Sequence, residues 1–66
     1  MIYNLLILAQ RILVNEGYLV YTGEAMLVVE QPNRVVRVAE IKTLLDFSNP
    51  MITFTQANDR VQIFFD

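Results

Sequence analysis

Chemistry has few places to reside in this chain. Its 66 residues include no histidine, no cysteine and no tryptophan. That removes the commonest general base, the thiol nucleophile and the usual zinc ligands together. Ser48 is the one serine, and without an imidazole its hydroxyl would need Lys42 or a carboxylate to activate it. Followed by Asn49-Pro50, it reads as a loop hydroxyl that bonds nearby backbone. Paired carboxylates are the remaining acid–base option. Glu40 and Asp46 flank a predicted short helix, and six positions of separation turn them to faces about 240° apart at ~100° per residue. Glu16 and Glu24 lie beyond opposite ends of a predicted strand. Neither pair spans a cleft of the kind that glycoside-type chemistry needs. Asn58-Asp59 is too short for a calcium loop, and two isolated glycines make no phosphate loop. The expectation is a protein that is not an enzyme and that uses no metal and no cofactor.

Nucleic acid is the next chemistry to weigh. Arg34 and Arg37 fall in a strand-like segment, with Arg37 on the same expected face as Tyr21, and basic plus aromatic side chains on a sheet can stack single-stranded bases. Against this, the five basic residues Arg11, Arg34, Arg37, Lys42 and Arg60 are dispersed and the net charge is −2. Phosphate binding draws on clustered positive charge. Glu30 on that same face also offers Arg37 a diagonal cross-strand partner. A nucleic-acid-binding dimer therefore stands only as an alternative.

The elements that must position any site follow from pattern. Residues 4–16 read as a helix, with Asn4 as the cap and Gly17 in the left-handed position beyond the end. Leu5, Leu6, Leu8, Ala9, Ile12 and Leu13 share one broad face, and Ile7 and Val14 form a second apolar stripe opposite. Three strand-like runs follow, 18–22, 25–31 and 34–38, rich in β-branched and aromatic types. Gly23-Glu24 and Pro32-Asn33 are read as two-residue turns between them. That register puts Tyr18, Val20, Leu27, Val29, Val36 and Val38 on one face, under the first helix. Tyr21 then faces Met26 across the first turn. Leu19, Tyr21, Met26, Val28 and Val35 fall on the other face, which is far more apolar than a solvated sheet face. Residues 39–47 read as a short helix with Ile41, Leu44 and Leu45 inward, ended by Ser48-Asn49-Pro50. Residues 51–65 read as a hairpin turning at Asn58-Asp59, with Ile52, Phe54, Val61, Ile63 and Phe65 on one face. Thr53, Thr55 and Gln62 lie on the other, with Phe64 as the apolar exception.

The fold class expected is α+β: one small domain over 1–66, an N-terminal helix packed on an antiparallel sheet, in the order α-β-β-β-(short α)-β-β. At this length the chain buries only about 60% of its unfolded surface, and no disulfide can supplement that. Yet 55% of the residues are hydrophobic and only 18% charged. The surplus apolar surface points to a partner: a homo-oligomer, a dimer above all, or another protein. Either a second helix or such a partner covers the sheet face. The candidate interface is Ile7, Val14, Leu19, Tyr21, Met26 and Val28. The short run Leu5–Ala9 has no basic residue before it and no cleavage site after it, so neither a secretory signal nor a membrane span is expected. A cytoplasmic location is the default. The functional expectation is a small protein-binding or regulatory module, of the size and composition found among phage-encoded inhibitors and small regulators. A structural subunit of a larger assembly is a further alternative.

Overall fold

The computed structural model describes residues 2–66. Helix α1 (Tyr3–Asn15) leads into strands β1 (Leu19–Gly23) and β2 (Met26–Glu30), then helix α2 (Val38–Leu45), then strands β3 (Ile52–Ala57) and β4 (Arg60–Phe65). The strands form one antiparallel sheet in the order β1-β2-β4-β3. The fold is α+β, in two layers. Leu27 and Val29 of β2, Ile52 of β3, and Val61, Ile63 and Phe65 of β4 form one buried cluster with Leu6, Ala9 and Leu13 of α1 and Ile41 and Leu45 of α2. Side chains alternate across a sheet, so both helices cover the same face.

Helix α1 forms where its aliphatic periodicity demands, but not with the expected cap. The N-cap is Ile2, with no side-chain cap bond, and Asn4 lies inside the first turn. The C-terminus closes as anticipated. Gly17 sits at φ 95°, its N–H donates to the Val14 carbonyl, and the Tyr18 N–H donates to the Leu13 carbonyl, the paired bonds of a Schellman ending. The buried stripe is narrower than the apolar periodicity implied. Leu8 is exposed, whereas Ile7 packs half-buried against the core.

The first hairpin turns one residue later than expected. Gly23 pairs with Met26, so Glu24 and Ala25 make the loop and Ala25 adopts φ 53°. Each partner therefore shifts by two residues: Tyr21 faces Val28, not Met26, and Val20 faces Val29. A shift of two preserves the faces. The second hairpin turns at Asn58-Asp59 with Ala57 opposite Arg60 and Phe54 opposite Ile63, in the expected register.

The expected strand over 34–38 does not form. Pro32-Asn33 does turn the chain, with Asn33 at φ 65°, but a single bridge between Gln31 and Arg34 ends the ladder. The second edge of β2 belongs to β4, through Met26–Phe64, Leu27–Ile63, Val28–Gln62 and Val29–Val61. That pairing sets three large buried side chains of β4 beside Leu27 and Val29, more than 34–38 could supply. Val36 still reaches the core and is buried, but from a loop. Its N–H donates to the Asp59 carbonyl at 2.9 Å, and its carbonyl accepts from Gln56 Nε2 at 2.8 Å. Val38, expected on the sheet, opens α2 instead, and its N–H donates to Gln56 Oε1 at 3.0 Å.

Candidate functional site

Because both helices lie on one face, the other face of the sheet is open. Three rows cross it. Tyr21, Val28, Gln62 and Thr55 form the middle row. Gly23, Met26, Phe64 and Thr53 form the row at one end. At the other end Leu19 stands opposite Glu30, and Glu30 is ion-paired to Arg60 at 3.0 Å. The apolar members Leu19, Tyr21, Met26, Val28 and Phe64 are contiguous on the β1, β2 and β4 side. The β3 margin presents threonines.

The exposures are high for such side chains: 55% for Tyr21 and 47% for Leu19. Met26, Val28 and Phe64 are half-buried by their neighbours. The Met26 side chain lies over Gly23, its Cε only 3.3 Å from where a Cβ on that glycine would stand. Arg60 is shared with Asp59, 3.2 Å from its Nε, and the Glu30 carboxylate raises the pKa of the Tyr21 hydroxyl beside it. Chemically, such a face can offer dispersion, apolar burial and a few polar contacts at its rim.

Four expected interface residues, Leu19, Tyr21, Met26 and Val28, thus come together on this face. The second helix does not cover them. It packs beside α1 on the opposite side, where Ile41 and Leu45 are buried. Val14 lies elsewhere, exposed on the outside of α1, while Ile7, expected beside it, packs half-buried against the core and only borders the same shallow groove with Gln10, Arg11 and Asn15. Phe64 is the member of the open face that sequence reasoning left out of the interface. Its signal was visible as the apolar exception on the polar side of its hairpin, but its neighbours depend on which strand β4 joins. Val35, expected on this face, leaves it for the loop.

The basic–aromatic surface weighed as a nucleic-acid alternative is not assembled. Arg37 is the N-cap of α2, away from Tyr21, and Glu30 pairs with Arg60 in place of Arg37.

A second polar cluster sits where β1, the 31–37 loop and α2 meet. Glu40 accepts from Arg34 Nη1 and Nη2 at 3.0 and 2.8 Å, from the Tyr18 hydroxyl and from the Arg37 N–H at 3.0 Å. The Arg34 guanidinium also stands over the Tyr18 ring, 5.9 Å from its centroid. Arg34 above all, with the Tyr18 hydroxyl and the Arg37 N–H, holds the Glu40 carboxyl down at about 2. A carboxylate has about four acceptor positions, and all are taken. The cluster fastens the loop to α2. Glu40 and Asp46, weighed as an acid–base pair, have separate roles: Asp46 is the left-handed C-cap of α2 at φ 49°. Among the described residues no group of three or more acidic side chains gathers to hold a metal ion, and no helix is long and apolar enough to cross a membrane. Comparison of the chain with protein-family models, with curated proteins and with solved structures gave no match.

Proposed function

We propose that this chain is a small non-enzymatic protein-binding module that associates with itself, with the β1 side of the open sheet face, where Leu19, Tyr21 and Met26 stand, as its contact surface. One observation carries the reading. Five contiguous apolar side chains, two of them about half exposed, occupy a sheet face that neither helix covers. Contiguous apolar patches of more than a few hundred Å² are uncommon on soluble monomers and mark contact sites. Tyr, Phe and Met are the types enriched at interface centres, where Lys and Glu are depleted.

Sedimentation equilibrium of the wild type and of Met26→Glu tests it. The wild type is expected to run as a dimer at micromolar concentration, with a melting midpoint that rises with concentration by mass action. Met26→Glu places a charge beside Phe64 and shifts the equilibrium to monomer. A 7.6 kDa species with a concentration-independent midpoint overturns self-association.

A further inference from the structure

We infer that two copies join edge to edge along β1, antiparallel about a twofold axis at Tyr21, to make one eight-stranded sheet. The inference rests on the self-association reading and says where the contact is made.

The argument begins with the backbone. The Ala25 carbonyl accepts from the Phe65 N–H of β4 at 2.8 Å. Backbone groups alternate sides along a strand, so Leu27 and Val29 direct theirs to β4, and Met26, Val28 and Glu30 direct theirs to β1. Their partners Gly23, Tyr21 and Leu19 are thereby satisfied. Val20 and Thr22 point the other way, out of the sheet. β1 is an edge strand, and among the described residues no hydrogen bond fills those two N–H and two carbonyl groups. The Tyr18 N–H, next in the series, is already bonded to the Leu13 carbonyl.

Only one twofold antiparallel register uses all four open groups. With Tyr21 opposite Tyr21, Val20 of each copy faces Thr22 of the other, and each such pair exchanges two bonds. Centring on Val20 would set Thr22 against Tyr18, whose N–H is spent. Centring on Thr22 would set Val20 against Glu24, which has left the strand.

The side chains agree with this register. Leu19 of one copy falls beside Gly23 of the other, where the missing side chain leaves room and the Met26 methyl supplies apolar contact. Val20 beside Thr22 is a favourable β-branched pair. Edge strands are normally protected by charge, proline or a bulge. β1, Leu-Val-Tyr-Thr-Gly, contains neither charge nor proline, and its ladder with β2 is unbroken. The other edge, β3, is less suited. It presents Thr53 and Thr55 on the open face, and the Lys42 ammonium stands 5.7 Å from the Phe54 ring centroid, so self-pairing there brings cations together. The twofold axis along the sheet normal sets both open faces on the same side, so that Leu19, Tyr21 and Met26 of the two copies meet across the seam.

Amide hydrogen exchange, followed by NMR on the wild type, tests the edge directly. The Val20 and Thr22 amides should slow with protein concentration, about tenfold for a hundredfold rise once dimer dominates, as mass action requires. Thr22→Pro, which deletes one outward donor and no bond within the sheet, should sediment as monomer with unchanged far-ultraviolet circular dichroism. Should that variant not fold, exchange in the wild type decides alone. A dimer in which both amides exchange at a concentration-independent rate overturns edge pairing and leaves self-association standing. A wild-type monomer overturns both.

Discussion

The side chain of Gln56 holds Val36 in place: its Nε2 donates to the Val36 carbonyl at 2.8 Å. The same Nε2 reaches the carbonyls of Asn58 and Arg60 at 3.0 and 3.2 Å, while Oε1 accepts the Val38 N–H. One amide therefore satisfies backbone groups of the loop, of the α2 N-terminus and of the β3–β4 turn. This is how a β-branched segment that could pair as a strand is held as a plug over the core.

Replacing Gln56 should cost more than its position on an edge strand suggests. Gln56→Ala leaves the Val36 carbonyl and the Val38 N–H without their partner, for an expected loss of about 1–3 kcal/mol. Gln56→Glu keeps the acceptor for Val38 and loses every donor bond, so it should be at least as damaging. Urea denaturation of both variants measures this.

What the sequence revealed depended on the range of the interaction. Helix α1, its Gly17 ending, the Asn58-Asp59 hairpin and the inward set Val61, Ile63 and Phe65 are local patterns, and all were readable. So was the apolar outer face of β1 and β2, because a two-residue shift of register exchanges no faces. The fate of 34–38 was not readable. Val35, Val36 and Val38 have the propensity of a strand, and what overrules it is the non-local competition of β4 for the edge of β2, together with Gln56, twenty residues along the chain from Val36. Phe64 joined the open face through the same pairing.

Ala25 gives a prediction of opposite sign. It holds φ 53° in the β1–β2 loop, a region where its Cβ crowds the backbone and glycine does not. Ala25→Gly should stabilise the protein by about 0.5–1 kcal/mol, the relieved strain exceeding the entropy that glycine adds to the unfolded chain. A lower melting midpoint for the variant would show the strain to be absent.

The two faces of β3 and β4 should respond differently to truncation. Ile63 is fully buried between the layers, and Ile63→Ala should cost about 2–5 kcal/mol, enough to unfold a marginal domain. Thr55 lies on the open face, exposed, and Thr55→Ala should stay within about 0.5 kcal/mol. Equal losses in denaturant melts would mean that the β3 side of the open face is covered in the folded protein.

The Glu40 cluster sets the acid limb of stability. Its carboxyl lies at about 2, against an ordinary value of 4.5, because the charged form is held chiefly by Arg34 and then by Tyr18 and the Arg37 N–H. A carboxyl lowered on folding contributes stability that is fully present above its unfolded value and is lost as pH falls through its folded value. Wild-type stability should therefore fall steeply from about pH 4.5 to about pH 2. Glu40→Gln keeps much of the shape and removes the charge, so it should be less stable at pH 7 and show a shallower slope across that window. Arg34 is substantially exposed, so salt weakens the contribution. Half a molar sodium chloride should bring the two pH profiles closer together. The measurement is urea denaturation at half-unit pH steps for both proteins, and parallel profiles through the window would remove Glu40 as the group responsible.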